Sequence, residues 1–344
     1  MLSAAYLGDA TVEIVSTTFA PPPAGQVQVR VAFVGLCGTD LHIAHGHMDR
    51  RVRTPLVFGH EMSGTVESVG ADVEGWSAGD LVTVMPLLWD GTCPACRAGN
   101  SHVCQNLTFI GIDSPGALQA LWNVPAQTLV RLPEGTDLHT AALVEPVAVA
   151  VHDVRRGGVE RGSRVVVLGG GPIGTLIACV ARDVGAELVV IEPDGVRREL
   201  VRELGFTAPD PAEHDVAAWV EQWTDGAGAD VVFEVSGAPA AVALMTGLAK
   251  VRGRIVVVAI HSEPRAVDLQ RVFWRELELV GARVYQRQDF ETAVELLRSN
   301  ALPVEALITR TVPLSDVPTA LEDLAGGRAM KILVDVQAGE GAAR

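Results

Sequence analysis

The sequence predicts an α/β protein in which a β-rich, barrel-like domain is joined to a doubly wound parallel sheet. The chain has 344 residues, more than one ordinary hydrophobic core supports, so two domains are expected. Its first part consists of short alternating runs broken by glycine and proline, which is typical of small barrels. From Gly162 onward strands alternate with helices behind a glycine-rich turn. That order is typical of a doubly wound sheet.

The first candidate site lies where a β-type run over residues 27–34 reaches a glycine turn. Cys37 follows, at the point where the strand opens into a helix or loop. A second turn carries Gly59, His60 and Glu61, with imidazole and carboxylate side by side. Thiolate, imidazole and carboxylate donors suit zinc, and three protein ligands leave a position open for water or substrate. Taken singly, these residues could be a buried cysteine and a helix-starting His-Glu pair. Together they predict a catalytic metal site.

A second candidate metal site is a short lobe that contains three cysteines. Cys93 and Cys96 are followed by Cys104 eight residues later, and Asp90 precedes them. Thiolates at this spacing can surround one tetrahedral zinc, and an aspartate oxygen is an acceptable fourth ligand. Such a site should be weaker than one with four thiolates. The alternative is a lobe that has lost its metal.

A buried helix is predicted over residues 140–154, which are small and apolar. Glu145 stands inside this run. An ionised carboxylate in apolar surroundings is costly unless it is paired, neutralised or bound to metal. Glu145 is therefore a further candidate ligand, or a carboxylate that exchanges with metal-bound water.

A dinucleotide site is predicted where a buried strand over residues 164–168 meets a glycine-rich loop. Gly169 permits the tight turn, Gly171 the approach of a pyrophosphate, and Gly174 close packing of helix on strand. Pro172 and Ile173 complete the loop at the start of a helix, whose free N–H groups attract phosphate. Glu192 closes the next strand, 18 residues after Gly174. It would bind the ribose hydroxyls and repel a 2′-phosphate, which favours NAD over NADP; Arg197, just beyond, is a candidate cofactor contact.

The strand–helix unit then repeats. Strands are expected over residues 229–235, 253–258 and 276–281, with a helix over 240–250. A helix ending near Asn300 and a strand over residues 308–312 follow, and residues 338–344 are expected to be a frayed tail. Cys179 lies in the middle of the first helix of this region, where we interpret it as a small buried residue.

Composition excludes several classes of function. The net charge is −15 with no block of lysine or arginine, which argues against nucleic-acid binding. No apolar run reaches the ~18 residues of a membrane span. The first residues lack the basic region of a secretory signal, so a cytoplasmic protein is expected. Five cysteines in such a chain indicate metal ligands before disulfides.

These motifs resemble those of the zinc-dependent medium-chain dehydrogenases over residues 27–336. The Glu145-Pro146 element, followed by Arg155-Arg156-Gly157, is most similar to the sorbitol and butanediol dehydrogenase branch. The resemblance implies a chaperonin-10-like catalytic domain and a Rossmann NAD-binding domain. It places the catalytic domain at residues 1–153, the NAD-binding domain at 154–290, and a return to the catalytic domain at 291–344.

The resemblance also implies roles for the site residues. Cys37, His60 and either Glu61 or Glu145 would hold the catalytic zinc, and the Asp90 lobe would hold a structural zinc in place of the family's four cysteines. Thr39 and His42 match the family's proton relay, since histidine titrates near working pH. The alternative for His42 is an exposed or capping histidine.

The expected reaction is the reversible oxidation of a secondary alcohol to a ketone, with NAD as hydride acceptor. The Glu-Pro element favours a polyol, vicinal diol or cyclitol as the small-molecule substrate. A simple alcohol dehydrogenase, with a pocket lined by Trp89 or Trp122, is an alternative. A threonine dehydrogenase is another, although its counterpart of Glu145-Pro146 normally reads Asp-Pro-Phe-Gly. A non-enzymatic cofactor-binding protein is a remote third. The resemblance implies a homodimer or homotetramer.

Overall fold

The structure is a computed structural model that describes residues 1–338. The predicted tail therefore falls outside the described residues, except for Ala338. The chain divides into two compact units. Among the described residues, the first unit contains Met1–Glu145, Gln286–Asn300 and residues 304–338, and the second contains Pro146–Tyr285 and Ala301–Pro303. The domain limits at residues 153 and 290 stay predictions, because this division does not test which segments fold independently.

The first unit is β-rich, as its alternating runs predict. Its strands are β1 (Leu2–Gly8), β2 (Thr11–Ser16), β3 (Gln26–Gly35), β4 (Leu56–Val57), β5 (Glu61–Val69), β6 (Leu81–Val84), β7 (Leu87–Leu88), β8 (Thr108–Phe109), β9 (Leu121–Pro125), β10 (Leu129–Arg131), β16 (Ile308–Pro313) and β17 (Lys331–Asp335). Its helices are α1 (Gly38–Ala44), α2 (Pro94–Arg97), α3 (Leu138–Ala141), α10 (Arg287–Arg298) and α11 (Val317–Ala325).

Strand β3 organises this unit because it pairs with three partners. The seven-stranded sheet has the order β10-β6-β5-β3-β17-β16, and β9 also pairs with β3. Strand β17 runs antiparallel to β3, with Leu333 opposite Gly35. The C-terminal part of the chain thus lies beside the strand that leads to Cys37. Strands β7 and β8 form a separate ribbon in which Leu87 faces Phe109.

The second unit is a parallel sheet covered by helices, as its strand–helix alternation predicts. Its strands are β11 (Arg164–Leu168), β12 (Glu187–Ile191), β13 (Ala229–Glu234), β14 (Ala249–Val257) and β15 (Glu278–Gly281). Its helices are α5 (Pro172–Val184), α6 (Gly195–Glu203), α7 (Val216–Trp223), α8 (Pro239–Leu248) and α9 (Leu269–Arg275). The strand order is β12-β11-β13-β14-β15, and the four pairings are parallel. Val166, Val232 and Ile255 belong to its core and are fully buried.

One predicted helix is two helices. The run over residues 140–154 is covered by the end of α3 and by α4 (Val144–Gly157). Pro146 explains why a new helix starts: it has no N–H to donate, which costs nothing in the first turn and would break a bond inside a continuous helix. Glu145 is consequently in the first turn of α4. Cys179 is buried within α5, as expected.

Candidate metal centre and dinucleotide site

Cys37, His60 and Glu61 meet in the first unit. One donor atom from each lies within 4.8 Å of the other two. Cys37 lies two residues after the end of β3 as the N-cap of α1, while Glu61 begins β5 and His60 immediately precedes it. The antiparallel register of β3 and β5 places Glu61 opposite Gly35. A Cβ at Gly35 would collide with the Glu61 carboxylate, so glycine provides the room that this side chain occupies.

Asp40 supports two of these residues, and sequence reasoning missed it. Its carboxylate accepts the N–H of Cys37 at 2.9 Å, which completes a capping box on α1. Its other oxygen lies 3.7 Å from Nδ1 of His60. A carboxylate behind an imidazole is the arrangement that orients metal-binding histidines. The signal in the sequence was an acid three residues after a possible N-cap, which is the spacing of a capping box.

The charges around His60 fit a metal cation. Burial lowers the pKa of His60, but its hydrogen bond to Cys37 and the negative charges of Asp40, Cys37 and Glu145 outweigh that effect and raise the pKa to about 10. Within the described part of the chain, buried His60 Nδ1 and Asp40 Oδ1 have no hydrogen-bond partner. The negative groups around the buried His60 ring favour a positive charge at this place, and a bound metal cation would supply one. Thiolate, imidazole and carboxylate are ligands that zinc prefers.

Lys331 is the second residue that sequence reasoning missed. It lies at the start of β17, only 3% exposed, and its Nζ is 2.5 Å from Oε2 of Glu61 and 3.0 Å from the carbonyl oxygen of Leu36. Burial lowers the pKa of Lys331, yet the charges of Glu61 and Cys37 raise it above its ordinary value. A buried cation is therefore already paired with one of the two candidate carboxylate ligands. The signal in the sequence was a single charge before the apolar run at residues 332–334.

Glu145 lies outside the three-donor set. It is 5% exposed in the first turn of α4. Its charge raises the pKa values of both His60 and Lys331, so it faces the same buried region. Which of Glu61 and Glu145 is the carboxylate ligand therefore stays a prediction. Lys331 affects the choice because it is already paired with Glu61.

The predicted relay residues lie on α1. The N–H of Thr39 points to the sulfur of Cys37 at 3.5 Å. His42 is exposed in the last turn, and its Nδ1 is 3.3 Å from Nδ1 of His47. Partial burial, and then the neighbouring His47 and His45, lower the pKa of His42. The role of His42 at the outer end of a proton relay stays a prediction.

The cysteine lobe also assembles. One donor atom each of Asp90, Cys93, Cys96 and Cys104 lies within 4.8 Å of the others. The sulfurs of Cys93 and Cys104 are 3.8 Å apart. Tetrahedral zinc with Zn–S bonds of about 2.3 Å separates its sulfurs by about 3.8 Å, so the lobe fits zinc. Backbone N–H groups of Cys96 and Gln105 donate to Cys93 and lower the pKa of its thiol to about 7.

Asp90 has a local structural role beside its possible role as a ligand. Its carboxylate accepts N–H bonds from Thr92 at 2.7 Å and Cys93 at 2.9 Å, and its second oxygen accepts the side-chain amide of Asn106 at 2.6 Å. These bonds hold the pKa of Asp90 well below its usual range. Asp90 is thus ionised and close to three thiols. That it ligates zinc stays a prediction.

The glycine loop in the second unit has the shape of a phosphate cradle. Gly169 adopts φ +113°, and a Cβ on Gly174 would collide with the carbonyl oxygen of Gly169. Gly171, by contrast, has open space where a side chain would be. It is the N-cap of α5, Pro172 follows at the first helical position, and no side chain caps the helix. The loop therefore leaves both space and N–H donors for a pyrophosphate.

Glu192 is held beside this loop. It is 5% exposed, and its carboxylate accepts the N–H of Gly170 at 2.7 Å and of Asp194 at 2.8 Å. Its remaining lone pairs can accept ribose hydroxyls. Arg197 lies on α6, half-buried, where its N–H completes the cap by Asp194. Its contact with a cofactor stays a prediction, as do the other roles of single residues.

Two family models match the two parts of the chain. The alcohol dehydrogenase GroES-like domain matches residues 23–134, and the zinc-binding dehydrogenase domain matches residues 172–299. The first match contains Cys37, His60, Glu61 and the cysteine lobe, and the second begins at Pro172, at the start of α5. No helix among residues 1–338 is both long and apolar enough to cross a membrane.

Similar proteins span nearly the whole chain. A 2-dehydro-3-deoxy-L-galactonate 5-dehydrogenase of Pseudoalteromonas atlantica is 50% identical over 98% of this chain and 99% of its own. A sorbitol dehydrogenase of Halalkalibacterium halodurans is 32% identical over 91% and 92%. Among solved structures, a putative zinc-binding dehydrogenase of Sinorhizobium meliloti bound to NADP has a TM-score of 0.91 at 29% identity, covering 97% of this chain and 99% of that one.

Proposed function

The chain belongs to the zinc-dependent medium-chain dehydrogenases, and from that premise we propose that it oxidises a secondary alcohol of a polyhydroxy compound to a ketone with NAD. The buried donor set of Cys37, His60 and Glu61 carries the proposal, because a binding protein has no need of an open metal site. Polyols, vicinal diols and polyhydroxy acids form the substrate class. Polyhydroxy acids are included because the 50% identical relative is named for such an acid.

The residues of the first unit have separate tasks in this reaction. Cys37, His60 and a carboxylate would hold zinc, which as a Lewis acid would lower the pKa of a substrate hydroxyl. Asp40 places a carboxylate 3.7 Å from the His60 ring, and Lys331 holds the Glu61 carboxylate at 2.5 Å. Thr39 and His42 carry the proton away, and His47, 3.3 Å from His42, extends that path.

The second unit binds the cofactor. NAD, which accepts the hydride, would have its pyrophosphate at the N-terminus of α5 and its adenosine ribose at Glu192. The fixed carboxylate of Glu192 would repel a 2′-phosphate, so NAD is preferred over the NADP seen in the Sinorhizobium relative. The cofactor preference thus rests on one buried side chain.

We also infer that the protein forms a homo-oligomer and acts in the cytoplasm. The protein is a homo-oligomer, an inference supported by Phe273 and Trp274, which are 73% and 72% exposed on α9, the helix that precedes the edge strand β15 in the chain. Exposed aromatic residues next to an open sheet edge favour association. The reaction takes place in the cytoplasm, consistent with five free cysteines.

The test combines zinc analysis with a substrate panel. Purified protein is titrated for zinc and assayed by NADH absorbance with 2-dehydro-3-deoxy-L-galactonate, sorbitol, 2,3-butanediol, a simple secondary alcohol and L-threonine. Turnover of polyhydroxy compounds above the other two supports the proposal. Preference for the simple alcohol or for threonine would support the corresponding alternative, and zinc-free protein that binds NAD without any turnover would indicate a non-enzymatic role.

A further inference from the structure

A cavity of about 320 Å³ opens in the first unit beside the cysteine lobe. Its walls include Met85, Trp89, Ser101, His102, Gln286 and Arg287. Of the two tryptophans that the sequence suggested as pocket residues, only Trp89 lines this cavity. The other, Trp122, is 2% exposed, and its indole N–H donates to the carbonyl oxygen of Pro115. A concave site with one apolar wall and a few convergent polar groups is the usual form of a small-molecule pocket.

The cavity is connected to the candidate metal centre by a short stretch of chain. Phe109 packs edge-on against the His60 ring at 5.2 Å between centroids, and it pairs with Leu87 of β7. Trp89 stands only two residues beyond Leu87. The cavity and the candidate metal centre thus share packed neighbours within the first unit.

Arg287 brings a guanidinium group to the cavity, with its Nε ion-paired to Glu291 on the surface. Its guanidinium donates to the carbonyl oxygens of Gln127 at 3.2 Å and Leu129 at 2.8 Å, with Glu291 3.4 Å from Nε. The N–H of Met85, on another wall, donates to Thr128 of the same turn. The turn at residues 127–129 thus holds both Arg287 and Met85 in place at the cavity. The guanidinium group of Arg287 has five N–H donors. The three contacts with Gln127, Leu129 and Glu291 fix its orientation and leave two N–H donors for a ligand.

We propose that this cavity binds the carboxylate end of a polyhydroxy acid, with Arg287 as the residue that recognises it. Arginine binds carboxylates through paired, charge-assisted hydrogen bonds, and a fork already held by backbone carbonyls loses little further freedom on binding. Trp89 supplies an apolar face for the carbon chain. The inference rests on the proposed function and narrows its substrate class to sugar acids.

The first test is binding, with two ligands that differ chiefly in the carboxylate. Calorimetric titration compares L-galactonate with galactitol for the wild type, Arg287→Gln and Arg298→Gln. Arg298 is the matched control, because it lies on the same helix and pairs with Glu295 on the surface. The wild type and Arg298→Gln should prefer galactonate by roughly tenfold or more, the scale of one charge-assisted hydrogen bond. Arg287→Gln should lose that preference.

The second test is kinetic. Arg287→Gln should raise KM for 2-dehydro-3-deoxy-L-galactonate by roughly tenfold and raise KM for 2,3-butanediol, which has no carboxylate, much less. Arg287→Lys should lie between Arg287→Gln and the wild type, and Arg298→Gln should leave both reactions unchanged. A variant that has lost its fold would lose the diol reaction too. If Arg287→Gln does so, the KM of Arg287→Lys for the acid, compared with its KM for the diol, tests the role of Arg287 instead. Equal binding of the two ligands by the wild type, or a galactonate preference retained in Arg287→Gln, would overturn the inference. Absence of turnover with every substrate would overturn the proposed function instead, and the titration would still decide the role of Arg287.

Discussion

Replacing Lys331 by methionine is the most informative perturbation of the candidate metal centre. Methionine retains most of the side-chain length and removes the ammonium group that lies 2.5 Å from Glu61. Glu61 is 1% exposed, so its carboxylate cannot reach water when the cation is lost. The variant therefore leaves an unpaired charge inside the first unit.

The expected size of the effect follows from this burial. Removing one partner of a buried ion pair costs about 3–5 kcal/mol in the free energy of unfolding, because the other charge stays desolvated. The double variant Lys331→Met with Glu61→Gln removes both charges and should recover most of that loss. Lys250→Met is the control: Lys250 is the other of the chain's two lysines, and its pair with Asp230 is partly exposed. An exposed pair contributes about 0–1 kcal/mol.

The assay is urea unfolding of the metal-free protein, followed by circular dichroism, and then the same measurement with zinc added. If Glu61 can ligate zinc, the metal supplies the missing cation and the deficit of Lys331→Met shrinks on loading. If Glu145 alone is the carboxylate ligand, zinc stabilises the variant and the wild type equally. A metal-free Lys331→Met protein as stable as Lys250→Met, or a double variant no more stable than the single one, would refute the reasoning.

Three other predictions concern the remaining sites. Cys37→Ser should remove the catalytic zinc and lower kcat by more than the roughly 10–100-fold typical of lost outer-shell partners, while NAD binding, followed by fluorescence titration, stays near the wild-type value; a metal-free Cys37→Ser protein with normal turnover would contradict the metal assignment. Glu192→Ala should raise KM for NAD by roughly tenfold to a hundredfold, the scale of a lost charged hydrogen bond, and improve relative use of NADP in steady-state assays; a wild type that already prefers NADP would contradict it. Asp90→Ala should lower the melting temperature, because the N–H groups of Thr92 and Cys93 lose their acceptor, and should release the lobe zinc in metal analysis with kcat spared, whereas Asp90→Cys should bind that zinc more tightly; one zinc per chain in the wild type would mean that the lobe holds none.

Much of the fold was predictable from the sequence because its signals are local. Alternation over residues 27–34 indicates β3, and the glycine-rich turn between a strand and a helix indicates the dinucleotide loop, since each depends on neighbours within a few residues. The cysteine lobe is local in the same sense, and its donors come together as their spacing predicts. The pairing of Cys37 with His60 and Glu61 was predicted from residue chemistry and family resemblance.

Only the tertiary structure decided which distant side chains complete these sites. Lys331 reaches Glu61 because β17 lies antiparallel to β3 with Leu333 opposite Gly35, a register that no local pattern in the sequence specifies. Arg287 reaches the turn at Gln127 in the same way, through packing of segments far apart in the chain. Local spacing determines backbone turns and the chemistry they present. The partner of a buried charge depends on strand register and packing, and these are settled only when the whole unit excludes water.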